Sequence, residues 1–134
     1  MFKTILFPID QSRESREAAD LVVQLAKVHQ CTSLILLSVV EDPENPHSAA
    51  MTSAEAIAKL LKNAQTLFED QGIPAQTVER SGKPAFTICD VADELQADLI
   101  VMGCRGMGLT EEGIADSVTN RVINLAPCPV LIVP

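Results

Sequence analysis

Aromatic side chains are scarce in this chain of 134 residues: they make up 3% of it, and it has no Trp and no Tyr. The core must therefore be aliphatic, and neither base stacking on single-stranded nucleic acid nor flavin electron transfer is expected. Basic residues are also few, with 10 Lys and Arg against 18 Asp and Glu and a formal net charge of −8. That sign argues against a nucleic acid or an anionic membrane as partner.

Several chemical motifs are missing as well. The four cysteines form no Cys-x-x-Cys, and the two histidines have no Cys or His at ligand spacing, so we expect neither a metal site nor a disulfide framework. Without a Ser-His-Asp set or a Gly-x-x-x-x-Gly-Lys-Ser/Thr motif, we assign no catalytic residue and expect weak nucleotide hydrolysis at most. No apolar run reaches the roughly 18 residues of a membrane span, and no signal-peptide pattern is seen, which predicts a cytoplasmic protein.

Apolar runs alternate regularly with segments of helical periodicity. The predicted strands are 4–9, 34–40, 75–80, 99–102 and 130–133. The predicted helices run from Ser12 to about 29, from a capping box at 52–55 to about 71 with Gly72 as the stop, from Pro84 to 95, and from about Asp116 to 125. Strands joined by such helices run parallel with right-handed crossovers, so we predict one doubly wound α/β domain with helices on both faces of a five-stranded sheet.

Two finer expectations follow from the periodicity. The alternation of polar and apolar residues over 75–80 is typical of an edge strand. Helical spacing predicts that these side chains face the core from the last two helices: Phe86, Ile88, Val91, Ala92, Leu95, Val118, Val122, Ile123 and Leu125.

The fourth strand breaks into a glycine-rich stretch that leads into the last helix. Its glycines are Gly103, Gly106, Gly108 and Gly113. A strand, a glycine-rich turn and a helix start in succession aim backbone N–H groups at an anion, usually a phosphate. If the strand order is 3-2-1-4-5, the winding reverses between strands one and four. The end of strand one (Pro8, Ile9, Asp10) then lies beside the end of strand four (Met102, Gly103).

Three segments, ILFPIDQS (5–12), ADLIVMGCRG (97–106) and APCPVLIV (126–133), resemble the universal stress protein family. The resemblance covers essentially the whole chain, so a single domain spanning 1–134 is expected. It implies the strand order 3-2-1-4-5 and a homodimer formed by antiparallel pairing of the last strand. It also implies binding of ATP or a related adenine nucleotide through a Gly-x-x-Gly, nine residues, Gly-Ser/Thr pattern.

On this chain the first two glycines of that pattern are Gly103 and Gly106, the final position is Ser117, and Asp116 replaces the third glycine. By resemblance Asp10 is the acid that contacts adenosine, and Val39 or Val40 flanks adenine. The full set of predicted nucleotide-binding residues is Pro8, Ile9, Asp10, Val39, Val40, Met102, Gly103, Arg105, Gly106, Asp116 and Ser117.

Asp116 has two interpretations. A carboxylate about 4 Å from a phosphate costs several kcal/mol at an intermediate dielectric, unless Mg²⁺ bridges the two. Alternatively, Asp116 is simply a helix N-cap, which satisfies the amides that a phosphate would use. Asp10 is likewise either a site residue or the cap of the first helix. Cys104 beside Arg105 is either a thiol of lowered pKa or a small structural residue.

The leading hypothesis is an adenine-nucleotide-binding or sensing protein of the stress response, with ATP, ADP or AMP as ligand and possibly Mg²⁺ with it. The alternative is a nucleotide-independent family member that acts through protein contacts. A second alternative is a weak metal-assisted phosphohydrolase that uses Asp10. Because an apolar edge strand is rarely left open, we expect a homodimer through the last strand, Val130, Leu131, Ile132 and Val133.

Overall fold

The computed structural model describes residues 2–9, 13–40, 54–103 and 118–133. Its elements are β1 (Thr4–Pro8), α1 (Arg13–Val28), β2 (Ser33–Val40), α2 (Ala54–Asp70), β3 (Ala75–Ser81), α3 (Pro84–Glu94), β4 (Leu99–Gly103), α4 (Val118–Leu125) and β5 (Val130–Val133). The predicted cap at Ser12, the capping residues 52–53, the loop at 41–51 and the start of the last helix at Asp116 lie outside the described residues.

The sheet has five strands in the order β3-β2-β1-β4-β5, and all four pairings are parallel. The predicted order and direction are therefore confirmed, and the chain forms a single α/β domain. The central strands are mostly apolar because both of their faces are covered. The predicted edge position of β3 is confirmed, but its burial does not alternate as predicted: only Ala75 and Val78 are half-buried, and they pack on opposite faces of the sheet.

Helices cover both faces of the sheet. Successive side chains of a strand point to opposite faces, so the core forms two layers, one on each side of the sheet. Side chains of β1 at Ile5 and Phe7 pack with α1 and α2, whereas Leu6 points to the layer of α3 and α4. Phe7 meets Phe68 of α2 edge to face, with ring centroids 6.2 Å apart. Two of the four phenylalanines are thus fully buried in an otherwise aliphatic core.

Three helices end in the same way, with a left-handed residue and a hydrogen bond that closes the last turn. Gly72 has φ +79°, and after it the N–H of Ile73 donates to the C=O of Phe68. Gln30 and Gln96 both have φ +53° and end α1 and α3 with the same bond pattern. Gly72 was predicted as a stop because glycine tolerates this conformation, whereas the two glutamines carry no such signal.

The predicted inner faces of α3 and α4 need correction at three positions. Phe86, Ile123 and Leu125 are 49%, 52% and 48% exposed. In α4 the buried stripe contains Val122, as predicted, together with Thr119, which was not predicted. Helical geometry places Ile123 and Leu125 on either side of that stripe, so apolar character alone assigned them to the wrong face. The other predicted core positions on these helices are buried or half-buried.

Within the described ranges, no helix is both long enough and apolar enough to cross a membrane.

Candidate functional site

The carboxyl ends of β1, β2 and β4 bring six of the predicted site residues to one edge of the sheet: Pro8, Ile9, Val39, Val40, Met102 and Gly103. The first two and the last two are buried, and the two valines are half-buried. Because β1 lies between β2 and β4, the reversal of winding falls between β1 and β4, as predicted. The other predicted site residues, Asp10, Arg105, Gly106, Asp116 and Ser117, lie outside the described residues.

The backbone of Pro8 faces β4. The N–H of Ile9 donates to the C=O of Leu37 in β2 with an N···O distance of 2.8 Å. Since the hydrogen-bonding edges of a strand alternate from residue to residue, the edge of Pro8 points the other way, toward β4. Proline has no N–H, so this position cannot donate to β4.

The strand pairings end differently on the two sides of β1. Pairing with β2 runs from Thr4 to Pro8, whereas the described pairing with β4 is at Ile5 and Leu6. The missing donor at Pro8 gives a physical reason for this difference, because the next rung of the β1–β4 ladder lacks its hydrogen bond. The two strands are therefore least constrained at their carboxyl ends, where a ligand crevice is expected in this class of fold.

The end of β4 is held by a side chain of α4. The N–H of Ile100 donates to Pro129, so alternation turns the backbone edge of Gly103 away from β5 and toward β1. The C=O of Gly103 accepts a hydrogen bond from Oγ1 of Thr119 at 3.1 Å, and this bond is buried. The first turn of α4 is thereby attached to the carboxyl end of β4.

Val39 and Val40 have different roles in the sheet. The C=O of Val40 accepts from the N–H of Gly82 at 3.0 Å, so this backbone edge is used on the β3 side. By alternation the N–H and C=O of Val39 point to the β1 side, and they lie beyond Leu37, the residue that pairs with the end of β1. The structure thus separates two positions that the sequence left equivalent: the backbone edge of Val39 faces β1, and that of Val40 faces β3.

Gly82 can make this contact because it is a glycine. Its φ of +146° is rarely adopted by other residues, and a Cβ added there would lie 2.7 Å from Oγ1 of Thr87. The turn continues into Lys83, whose side chain is exposed, and Pro84 takes the first position of α3 as predicted. The turn therefore ties β3 to Val40 and brings the start of α3 to the carboxyl edge of the sheet.

Three cysteines lie in the described part of the chain. Burial raises the pKa of the Cys31, Cys89 and Cys128 thiols, and nearby carboxylates raise it further. None of the three is therefore an activated nucleophile, because such thiols have a lowered pKa. Cys104, the cysteine considered for a redox role, lies outside the described residues.

Two residues at this end of the sheet were not singled out from the sequence, Gly82 and Thr119. The dipeptide Gly82–Lys83 before Pro84 predicts a turn. It does not predict that the N–H of Gly82 donates to the C=O of Val40. Thr119 interrupts an apolar stripe at a helix start, where a buried hydroxyl needs a partner. That interruption is the one signal that could have marked it.

Comparison with known proteins identifies related chains over the full length. The Universal stress protein family matches residues 1–134. The universal stress protein Sll1654 of Synechocystis sp. is 65% identical, covering 100% of this chain and 87% of that protein. Among solved structures, universal stress protein UspA from Lactobacillus plantarum has a TM-score of 0.83 at 27% identity, covering 99% and 98% of the two chains. A universal stress protein solved in complex with cAMP has a TM-score of 0.80 at 24% identity, covering 99% and 97%.

Proposed function

Because the chain belongs to the universal stress protein family, we propose that it binds and senses an adenine nucleotide in the crevice between β1 and β4. The observation that carries this proposal is the carboxyl end of β1, where Pro8 leaves the β1–β4 ladder without a donor. The solved complex with cAMP adds support, since a protein of this fold there holds an adenine nucleotide. We place the activity in the cytoplasm, where adenine nucleotides are abundant.

Val39 is proposed to recognise the purine through its backbone. One N–H and one C=O on the same strand edge match the Watson–Crick edge of adenine, which accepts at N1 and donates from its 6-amino group. Guanine presents the opposite pattern, with a carbonyl at position 6 and a donor at N1. The proposed site therefore favours adenine over guanine. With guanine, donors would face donors and acceptors would face acceptors, and burying such unpaired polar groups costs their desolvation free energy without a hydrogen bond in return.

The phosphate end of the ligand depends on Asp116. In this proposal its carboxylate lies where the helix start would otherwise receive phosphate, so affinity falls as the number of phosphate charges rises. AMP is then preferred to ADP and ATP, and Mg²⁺ recovers part of the loss for ATP by bridging the two negative groups. Pro8, Ile9, Asp10, Met102 and Gly103 form the remaining walls, with Arg105, Gly106 and Ser117 following from the family pattern.

Calorimetric titration tests the proposal directly. ATP, ADP, AMP and GMP are titrated with and without Mg²⁺, and we expect AMP to bind most tightly and GMP about tenfold more weakly. No heat with any adenine nucleotide contradicts the proposal and favours the alternative, a nucleotide-independent protein that acts through protein contacts. Turnover that disappears in Asp10→Ala while binding persists favours the weak phosphohydrolase instead.

Substitution at position 116 separates charge from capping. Asp116→Gly restores the glycine of the family pattern, and we expect ATP affinity to rise about tenfold or more. Asp116→Asn is the matched control, because it removes the charge and keeps a good helix cap. If the Asn variant gains as much as the Gly variant, repulsion is the cause. If neither gains, the charge argument is wrong.

We also propose a homodimer through β5. This strand forms an edge of the sheet, and its residues Val130, Leu131, Ile132 and Val133 are all half-buried. An antiparallel partner strand would satisfy the open backbone edge and cover these side chains. Sedimentation at micromolar protein is expected to give the mass of two chains, and a monomeric mass would contradict this part of the proposal.

A further inference from the structure

The buried hydroxyl of Thr119 links the first turn of α4 to the end of β4. It donates to the C=O of Gly103 at 3.1 Å, across sixteen positions of sequence. Thr119 itself is 8% exposed and lies next to Val118 and Val122, which pack into the layer of α3 and α4. The bond is therefore shielded from water, where a hydrogen bond is most costly to lose.

The acceptor is the last residue of β4, and the donor stands in the first turn of α4. The chain between them, 104–117, carries the second glycine of the family pattern together with Asp116 and Ser117. One hydrogen bond thus joins the two ends of this segment.

The carbonyl that Thr119 binds faces the crevice. Alternation along β4 turns the backbone edge of Gly103 toward β1, one rung beyond the C=O of Val101 that an N–H at position 8 would reach in this register. Thr119 supplies a donor on that side from the helix layer. The hydroxyl thereby fixes both the orientation of the peptide group at the end of β4 and the distance of α4 from it.

We propose that Thr119 is a positioning residue of the nucleotide site: its hydroxyl holds the end of β4 and the first turn of α4 in the arrangement that receives the ligand. This inference rests on the proposed function but adds a residue outside the predicted binding set. The inference assigns this role to the side-chain oxygen of Thr119 and not to its volume. Valine separates the two, because it has nearly the same shape and no hydrogen-bond donor.

Two substitutions separate the oxygen from the packing. Thr119→Val keeps the volume and removes the donor, whereas Thr119→Ser keeps the donor and removes a methyl group. Ile88→Val, fully buried in the same layer, is the control for a loss of packing without loss of the bond. With AMP as the probe, we expect Thr119→Val to weaken binding about fivefold or more. Thr119→Ser and Ile88→Val are expected to stay within about twofold of the parent protein.

A measurement without ligand keeps this inference separate from the proposed function. The carbonyl ¹³C resonance of Gly103 in labelled protein should move upfield in Thr119→Val and return in Thr119→Ser, because a hydrogen bond deshields the carbonyl carbon. An unmoved resonance in Thr119→Val overturns the inference. So does a moved resonance with AMP affinity equal to that of Ile88→Val. If the parent protein binds no nucleotide, the proposed function fails, and the resonance alone decides whether Thr119 holds the two ends together.

Discussion

The two ends of the β1–β4 pair are held in opposite ways. At the amino end, Oδ2 of Asp98 accepts from the backbone N–H of Lys3 at 3.1 Å and from that of Thr4 at 3.0 Å. The N–H of Asp98 donates in turn to the C=O of Thr4 at 2.7 Å. At the carboxyl end, Pro8 has no N–H to offer β4, and the C=O of Gly103 accepts a hydrogen bond from the side chain of Thr119 in α4.

This contrast shows how one strand pair serves both stability and binding. β1 and β4 are neighbours in space but not in sequence, so their pairing closes a long loop and has to be secured somewhere. Three hydrogen bonds from the single residue Asp98 secure it at the end away from the site. The other end can then remain open without loosening the sheet. If this division holds, changes at the amino end should alter stability alone, and changes at the carboxyl end should alter binding.

The largest effect is expected from Asp98→Ala. It removes a charged acceptor that serves two backbone amides, and hydrogen bonds to charged groups contribute about 1.5 to 3 kcal/mol each when well shielded. Because Asp98 is exposed, we expect a combined loss of about 2 to 3 kcal/mol in the free energy of unfolding. Urea denaturation measures it, and AMP affinity of the folded protein should be unchanged.

Asp90→Ala is the control for this prediction. Asp90 is an exposed acid on α3, so its replacement should change the free energy of unfolding by less than about 0.5 kcal/mol. A loss of similar size in both variants would mean that the change in net charge, rather than the loss of the hydrogen bonds made by Asp98, accounts for the effect. A large loss of AMP affinity in Asp98→Ala would show that the two ends are not independent.

A smaller effect on stability, and a larger one on binding, is expected from Pro8→Ala. The substitution restores an N–H that faces β4, so the ladder can continue toward Gly103 and narrow the crevice. We expect AMP affinity to fall about fivefold. The free energy of unfolding should change by less than about 1 kcal/mol, since the added bond offsets the greater freedom of the unfolded chain. Hydrogen exchange would detect protection of the new amide at position 8.

The matched control is Pro84→Ala, which makes the same chemical change at the first position of α3. That position needs no donor, so the change in the unfolded chain is similar and no ladder is extended. An amide at position 8 that exchanges as fast as an exposed one would refute the idea that proline keeps the strands apart.

The sheet was predictable because its information is local and redundant. The apolar runs of β2 and β4 identify buried strands, and the helices between strands dictate parallel pairing, so the order needed little more than the resemblance. Pro8 was also predicted from the sequence as a site residue. Its effect on pairing was not, because the direction in which its backbone edge faces depends on the register with β2 and β4.

The hydrogen bonds that could not be predicted from the sequence join residues far apart in the chain. Nothing local to Asp98 indicates that its carboxylate binds the amides of residues 3 and 4, and nothing local to Thr119 points to Gly103. The predicted inner face of α4 was partly wrong for a related reason. Eight residues contain too few turns to define an apolar stripe, and the hydrogen bond made by Thr119 helps to set which side of the helix faces the core. Asp116 lies outside the described residues, so its two interpretations stand as predicted.

The smallest expected effect tests whether the negative charge of Asp98 raises the pKa of nearby thiols. Burial raises the pKa of the Cys31 and Cys128 thiols, and the negative charge of Asp98 raises it further in both. The pKa of Cys89 is raised by burial and by Asp90 instead. Asp98→Asn should therefore lower the pKa of the first two thiols, increase their thiolate fraction at pH 8 and speed their alkylation about twofold. Peptide-resolved mass spectrometry measures all three rates at once, with Cys89 as the internal control. Equal acceleration at Cys89 would mean that the variant loosens the whole fold, because its thiol does not sense the charge that was removed.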